Sequence, residues 1–160
     1  MTAPVHVLMV CLGNICRSPT AQIVFAQRVA EAGLQAQVLV DSAGTGDWHI
    51  GHPPDARSCA AAAQRGYDMT ALRARQVQPQ DFHVFDLLLA MDENNLRDLQ
   101  RLAPPEHRHK LRLFMDFAEL GERSVPDPYY GEAQEFQRVL DLVETAADGL
   151  LRHLRQQLRE

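Results

Sequence analysis

The stretch VHVLMVCLGNICRSPTAQ, residues 5–22, determines how the rest of the sequence is interpreted. Six mostly apolar residues at 5–10 run directly into Cys11, and a short glycine-containing turn follows. Next come Ser18, a favoured residue for the N-cap of a helix, and Pro19, a favoured residue for its first position. The stretch therefore predicts a buried strand that passes through a tight turn into a helix.

The rest of the chain repeats this pattern of strand and helix. Three more short runs rich in Val and Leu are predicted strands: AQVLVDS (36–42), FDLLLAM (85–91) and KLRLFM (110–115). Helical periodicity predicts helices at 18–33, 55–65, 92–102 and 132–158. Strands that alternate with helices and are apolar on both faces are typical of a parallel, doubly wound α/β sheet. In such sheets, ligands bind at the carboxyl ends of the strands.

Length, composition and charge limit the classes of function. At 160 residues, of which 46% are apolar, the sequence predicts a single domain over residues 1–160. A formal charge of −5 argues against a nucleic-acid-binding face. The first ten residues have no basic segment and only a short apolar run, so we expect no signal sequence and no membrane span. Three cysteines, an odd number, suit a reducing compartment, and the predicted location is cytoplasmic.

The turn CLGNICR, residues 11–17, has the composition of an anion-binding loop. It offers consecutive backbone N–H groups next to a helix N-terminus, and its Gly13 and Asn14 tolerate left-handed conformations. No Gly-Lys-Ser/Thr follows it, which excludes a Walker-type loop, and the G-x-G-x-x-G pattern of dinucleotide sites is missing.

Cys11 and Arg17 stand at the two ends of this loop. Five residues between them allow the N–H groups to surround an oxyanion, with the sulfur at the floor and the guanidinium gripping two oxygens. The surrounding positive potential would hold Cys11 as a nucleophilic thiolate. In the alternative interpretation, Cys11 is a small buried apolar residue and Arg17 a solvated residue at a helix start. The predicted phosphate-binding residues are Leu12, Gly13, Asn14, Ile15, Cys16, Arg17 and Ser18.

The segment VCLGNICRSP (10–19), together with DPYY (127–130), resembles the low-molecular-weight protein tyrosine phosphatases. The match in size and element order covers essentially the whole chain. The resemblance implies a four-stranded parallel sheet of order 2-1-3-4 with helices on both faces. It also implies Cys11 as nucleophile, Arg17 as phosphate-binding residue and Asp127 as general acid. The activity implied is hydrolysis of phosphotyrosine through a cysteinyl-phosphate, with no cofactor and no metal.

The sequence around Asp127 does not by itself indicate a catalytic role. The segment SVPDPYYGEAQ, residues 124–134, is a proline-containing loop before a helix, and Asp before Pro is usually a turn. With the resemblance, Pro126 and Pro128 become residues that stiffen the loop and hold a carboxyl in place. The close histidine pairs, at 49/52 and 107/109, lack further ligands at convincing spacing, so surface histidines are predicted rather than a metal site.

Weaker roles follow from the same resemblance. Asn14 and Ser42 resemble residues that support the loop by hydrogen bonds, and Ser18 resembles one that stabilises the thiolate leaving group; Ser42 as a simple polar residue at a strand end is the alternative. Leu72 stands where the family commonly has a histidine, so the support network is expected to be incomplete or rebuilt. Asp92 is equally good as a helix cap and is assigned no chemistry.

The substrate is predicted from residues that resemble the family's pocket walls. They are Leu12, Trp48, Tyr129 and Tyr130. They would form a slot deep enough for a phenyl ester, and phosphoserine would be too short to reach the sulfur at its floor. In the alternative interpretation, Trp48 is an ordinary exposed aromatic residue of a loop. Ile15 replaces the threonine of relatives that act on phosphoarginine. The predicted partner is a phosphotyrosine-containing protein, and the chain is expected to be a monomer or weak dimer.

Cys16 is predicted to form a reversible disulfide with Cys11 after oxidation. In the alternative interpretation Cys16 only packs beneath the helix start. Cys59 lies in an alanine-rich segment and is predicted to be a buried apolar residue.

Two other classes of protein share parts of this pattern. Thioredoxin-coupled arsenate reductases have the same loop but need further cysteines near residues 80–90, and this chain has none after Cys59. A non-catalytic phosphate-binding module would lack the nucleophile or the acid, whereas Cys11 and Asp127 are both present.

Overall fold

Four short strands form one parallel sheet in the computed structural model, which describes residues 3–158. The strands are β1 (Val5–Cys11), β2 (Val38–Gly44), β3 (Leu87–Ala90) and β4 (Leu111–Leu113). Their order is β2-β1-β3-β4, which confirms the predicted topology. β1 pairs with both β2 and β3, so it lies inside the sheet.

Five helices connect and cover the strands. They are α1 (Arg17–Glu31), α2 (Ala56–Ala63), α3 (Asp81–Val84), α4 (Glu93–Leu102) and α5 (Ala133–Leu158). Two 3-10 helices, Pro105–Lys110 and Phe114–Phe117, flank β4. The four predicted helices are confirmed to within a few residues. α3 and the 3-10 helices were not predicted, because elements this short carry no measurable apolar period.

The predicted start of α1 at an N-cap Ser18 is wrong. The helix begins at Arg17, and its N-cap is Cys16, which makes no side-chain capping hydrogen bond. Ser18 lies in the first turn, where its hydroxyl is within hydrogen-bonding distance of Cys11 and Asn14. Because Ser18 already lies inside the helix, it is beyond the N-cap position, and its hydroxyl faces the loop instead. The other end agrees better with expectation, since Gly33 has a φ of 73° just beyond the last turn.

The two central strands, β1 and β3, are buried on both faces over most of their length, which explains why they are mainly apolar. Val7 and Met9 of β1 belong to one core cluster with residues of α1, α2 and α5. Leu8 and Val10, which point the opposite way, belong to a second cluster with residues of α3 and α4. The arrangement fixes β1 in the middle of the molecule and leaves its carboxyl end at the edge where the connecting loops begin.

The loop after β1 is held closely against the end of β2. Thr45 donates its backbone N–H to the Cys11 carbonyl at 3.0 Å, and Gly46 donates to the Leu12 carbonyl at 2.9 Å. A Cβ atom at Gly44 would lie 2.6 Å from the Leu12 carbonyl oxygen, so only glycine allows this approach. Within residues 3–158, no helix is both long and apolar enough to cross a membrane.

We predict that Gly149→Ala destabilises the fold. A Cβ atom at this position of α5 would lie 1.8 Å from the backbone oxygen of Phe117, so the helix would have to shift away from the second 3-10 helix. Overpacking of this kind costs about 1–3 kcal/mol, and the better helix propensity of alanine, worth about 1 kcal/mol, offsets only part of it. Urea unfolding measures the change. Arg152→Ala, at an exposed position of the same helix, is the control, and equal stability of the two variants would contradict the prediction.

Candidate active site

The loop of residues 12–16 curls around the sulfur of Cys11. Asn14 adopts a left-handed conformation with a φ of 57°, which turns the chain back toward the strand end. Its backbone N–H lies 3.3 Å from Cys11 Sγ, and Ser18 Oγ lies 3.0 Å from the same atom. Cys11 is only 3% exposed. A sulfur next to an N–H and a hydroxyl donor is suited to carry a negative charge.

The side chain of Asn14 links the loop to three other segments. Its Nδ2 donates to Ser18 Oγ at 2.8 Å and to Ser42 Oγ at 2.9 Å, and its Oδ1 accepts from the backbone N–H of Arg75 at 3.0 Å. Ser42 Oγ in turn donates to Gln22 Oε1 at 2.6 Å. The structure thus brings together Asn14, Ser18 and Ser42, and it adds Gln22 and the Arg75 backbone, which sequence reasoning missed.

Leu72 takes no part in this network. Its side chain is partly buried and packs against the main core cluster. Because the Arg75 backbone N–H binds the Asn14 oxygen and both amide hydrogens have acceptors, the amide is satisfied without a histidine. The Arg75 side chain is itself held by Asp81 at 3.0 Å and Asp41 at 3.1 Å.

Arg17 is buried, with 3% of its surface exposed, which contradicts the alternative of a solvated residue at the helix start. Its Nη1 donates to Asp92 Oδ2 at 2.6 Å and to the Val125 carbonyl at 3.1 Å, and its Nη2 lies 3.7 Å from Asp127 Oδ2. Burial alone would lower the pKa of Arg17, but the negative charges of Cys11, Asp92 and Asp127 raise it above its ordinary value. The guanidinium therefore stays charged.

The side chain of Asp92 makes two contacts, of which the sequence predicted only the first. Its Oδ1 accepts from the backbone N–H of Asn95 at 2.7 Å and caps α4, as expected. Its Oδ2 accepts the hydrogen bond from Arg17. The second contact joins residues 75 positions apart, so no local pattern could have indicated it.

Asp127 reaches the site from the loop before α5. Val125 anchors this loop, because its N–H donates to the Met91 carbonyl at 2.7 Å and its carbonyl accepts from Arg17. Asp127 Oδ1 accepts from the backbone N–H of Tyr129 at 3.1 Å, while half of the Asp127 side chain remains exposed to solvent. The carboxyl is therefore positioned near Arg17 and still open to a ligand and to water.

One cavity of about 320 Å³ unites these groups. Cys11, Arg17 and Asp127 line it, and the predicted wall residues Leu12, Trp48, Tyr129 and Tyr130 line it as well. Trp48 and Tyr130 are largely exposed at its mouth, so Trp48 is both a loop aromatic and a wall residue.

His49 also lines the cavity, although sequence reasoning placed it on the surface. Its ring lies against Gly13, where a Cβ atom would approach to 2.9 Å, and its centroid is 6.5 Å from that of Tyr129. In the other close pair, His109 is exposed, as predicted, and His107 lies 3.1 Å from His83 at the surface. Among residues 3–158 the structure contains no group of three or more side chains arranged to bind a metal.

Cys16 shares the cavity with Cys11 and is 6% exposed. Burial raises the pKa of the Cys16 thiol to about 12, and the negative charges of Asp55 and Cys11 act in the same direction. Cys16 is therefore protonated at neutral pH. Cys59 is half-buried instead of fully buried, and it does not line this cavity.

Comparison with known proteins agrees with this geometry. A sequence profile of the family described as low molecular weight phosphotyrosine protein phosphatase matches residues 6–160. A low molecular weight protein-tyrosine-phosphatase of Streptomyces coelicolor is 46% identical over 96% of this chain and 95% of its own length. A putative one from Synechocystis is 45% identical over 94% and 97%, respectively.

Solved structures show the same similarity. The crystal structure of a protein tyrosine phosphatase from Entamoeba histolytica superimposes with a TM-score of 0.93 at 36% identity, covering 96% of this chain and 98% of that one. YfkJ from Bacillus subtilis superimposes with a TM-score of 0.92 at 36% identity, covering 98% of both chains. On this evidence the chain belongs to the low molecular weight phosphotyrosine protein phosphatase family.

Proposed function

We propose that this chain hydrolyses phosphotyrosine in proteins, and small aryl phosphates, through a cysteinyl-phosphate intermediate and without a metal ion. One observation carries the proposal: the sulfur of Cys11, the guanidinium of Arg17 and the carboxyl of Asp127 line a single cavity at the carboxyl end of β1. A nucleophile, a cation for the phosphoryl oxygens and an acid for the leaving group are the three groups that can hydrolyse a phosphate monoester through a covalent intermediate.

In the first step, Cys11 Sγ attacks phosphorus and the bond between phosphorus and the phenolic oxygen breaks. Asp127 gives its proton to that oxygen, which leaves as a neutral phenol. Arg17 and the backbone N–H groups of residues 12–18 bind the phosphoryl oxygens. Because Asp92 and the Val125 carbonyl engage one guanidinium nitrogen, the orientation of Arg17 is set before the substrate arrives.

In the second step, ionised Asp127 takes a proton from water, the water oxygen attacks phosphorus, and the bond between sulfur and phosphorus breaks. The electron pair returns to Cys11 Sγ, where the Ser18 hydroxyl at 3.0 Å and the Asn14 N–H at 3.3 Å stabilise the thiolate. Inorganic phosphate then leaves and the carboxyl is again protonated.

The cavity walls favour an aromatic phosphate ester. Leu12, Trp48, Tyr129 and Tyr130 line the same cavity as Cys11 and present apolar surface that a phenyl ring can contact. A phosphoserine side chain is too short to contact these wall residues while its phosphate reaches Cys11.

We further propose that residues 1–160 act as one domain on phosphotyrosine proteins in the cytoplasm, as a monomer or a weak dimer. The three cysteines are free thiols, which suits a reducing compartment.

Replacing the nucleophile tests the mechanism most directly. We expect Cys11→Ser to abolish turnover of para-nitrophenyl phosphate and of a phosphotyrosine peptide, since the hydroxyl is a far weaker nucleophile than the thiolate. Cys59→Ser, outside the cavity, is the matched control and should retain activity. EDTA should leave the parent enzyme unchanged. Full turnover by Cys11→Ser, or loss of activity in EDTA, would refute the proposed chemistry.

The acid role of Asp127 predicts a dependence on the leaving group. Asp127→Ala should lower kcat by about 10²–10⁴-fold for phenyl phosphate, whose phenolate needs protonation, and by much less for para-nitrophenyl phosphate. Asp116→Ala, an exposed carboxylate outside the cavity, should affect neither substrate. Equal losses of kcat for the two esters would rule out the acid role.

We also propose that the two loop cysteines protect the enzyme from oxidation. Peroxide oxidises the Cys11 thiol to a sulfenic acid and is itself reduced to water. The Cys16 thiol then attacks the Cys11 sulfur, a disulfide forms, and a second water leaves. Both residues line one cavity and stand at the two ends of the same short loop, which supports their proximity. With its pKa near 12, Cys16 is not oxidised first.

The oxidation proposal predicts different fates for two serine variants. After brief peroxide treatment, dithiothreitol should restore the activity of the parent and of Cys59→Ser, because a disulfide is reducible. Cys16→Ser should lose activity irreversibly as Cys11 proceeds to sulfinic acid. Activity assays and mass spectrometry of the Cys11 peptide provide the readout. If Cys16→Ser recovers as fully as the parent, the second cysteine gives no protection.

A further inference from the structure

Two further hollows lie on the surface beside the active-site cavity. The active-site cavity shares Leu12 and Trp48 with a second hollow of about 300 Å³. The second hollow shares Arg101 with a third hollow of about 530 Å³. Because neighbouring hollows share lining side chains, they follow one another along a surface path from the active-site cavity to the exposed side of α4.

The third hollow, called here the arginine hollow, is lined by Arg97, Gln100, Arg101 and Arg108. Arg97 and Arg101 lie one turn apart on α4, and Arg108 lies on the 3-10 helix that follows. Three guanidinium groups and an amide surround this space, with no carboxylate among the lining residues. In a chain with a formal charge of −5, this is a local concentration of positive charge.

The charges of this hollow are largely not neutralised by the protein. Arg101 pairs with Asp98, whereas Arg97 contacts the uncharged amide oxygen of Asn94. Within residues 3–158, neither Arg97 nor Arg108 forms a salt bridge with a carboxylate. The arginine hollow is therefore complementary to an anion.

The second hollow offers apolar surface to a polypeptide that passes from the active-site cavity to the arginine hollow. Leu12 is 40% exposed, Leu102 is 55% exposed and Trp48 is 66% exposed, so three large side chains present apolar surface along its course. The carboxylate that lines it, Asp98, is paired with Arg101. An extended chain advances about 3.3 Å per residue, and a few residues therefore suffice to cross a hollow of this size.

We propose that the substrate polypeptide lies along this path and places acidic side chains, a few residues from its phosphotyrosine, in the arginine hollow. The inference rests on the proposed function and adds the class of sequence that the enzyme prefers. Carboxylates of Asp or Glu are the occupant, because guanidinium groups bind them through paired hydrogen bonds. These contacts lie far from the reacting bond, so they lower KM and leave kcat nearly unchanged.

A peptide series tests the inference. Each peptide carries one phosphotyrosine and a pair of Glu residues, placed one to six positions before or after it, and is compared with a peptide that has Gln at the same positions. The parent should prefer Glu at the best position by about 2- to 10-fold in kcat/KM, through KM, as expected for one or two exposed ion pairs. The preference should fall at high salt.

Two double variants with the same change of net charge separate local from general electrostatics. Arg97→Gln with Arg108→Gln should remove the preference for Glu peptides, whereas Arg152→Gln with Arg155→Gln, near the end of α5, should retain it. Arg97→Glu with Arg108→Glu should reverse it and favour peptides with Lys. All variants should hydrolyse para-nitrophenyl phosphate like the parent, which shows that they are folded.

The results distinguish this inference from the proposed function. If the parent hydrolyses Glu and Gln peptides equally at every position, or if the variant on α5 loses the preference equally, the path is not an acidic-peptide site. If the parent hydrolyses neither phosphotyrosine peptides nor para-nitrophenyl phosphate, the proposed function fails and the inference fails with it.

Discussion

The hydrogen bonds of the Asn14 amide are the interaction on which the active-site loop depends. Asn14 occupies a left-handed conformation, which costs a non-glycine residue about 1 kcal/mol or more. Its amide makes three hydrogen bonds in a buried setting, each worth about 1 kcal/mol, to α1, to β2 and to the segment before α3. The bonds offset the strain and hold the loop around Cys11 Sγ.

The sheet topology brings the remaining groups to this loop. With β1 between β2 and β3, the segments that leave all three strands meet at one edge. The segment after β2 binds the backbone of residues 11 and 12, and Asp92, two residues beyond β3, binds Arg17. The active site therefore depends on the order of the parallel strands as much as on the sequence of the loop.

The fold could be predicted because strands buried on both faces are continuously apolar and because α5 carries a long amphipathic pattern. Cys11 and Arg17 could be identified because one turn contains both. The hydrogen bond from the Arg75 backbone could not be predicted, because a pattern of side chains does not show which backbone N–H a buried amide will bind. The ion pair between Arg17 and Asp92 could not be predicted either, because only the tertiary structure brings the two residues together. Ser18 was misassigned as a cap because the sequence does not show that its hydroxyl is engaged by Cys11 and Asn14.

The two backbone hydrogen bonds of Val125 have a consequence for how such a chain can evolve. Its N–H binds the end of β3 and its carbonyl binds Arg17, so the position of Asp127 is set by contacts made two residues earlier. Residues 119–123 before it are exposed, and their ion pairs, Arg123 with Glu93 and Glu122 with Arg138, do not involve the Val125 backbone. Insertions or deletions there would alter these surface ion pairs, while the two backbone hydrogen bonds of Val125 would still position the acid. Residues 119–123 are therefore free to vary in length and sequence, whereas the segment from Val125 to Asp127 must stay constant.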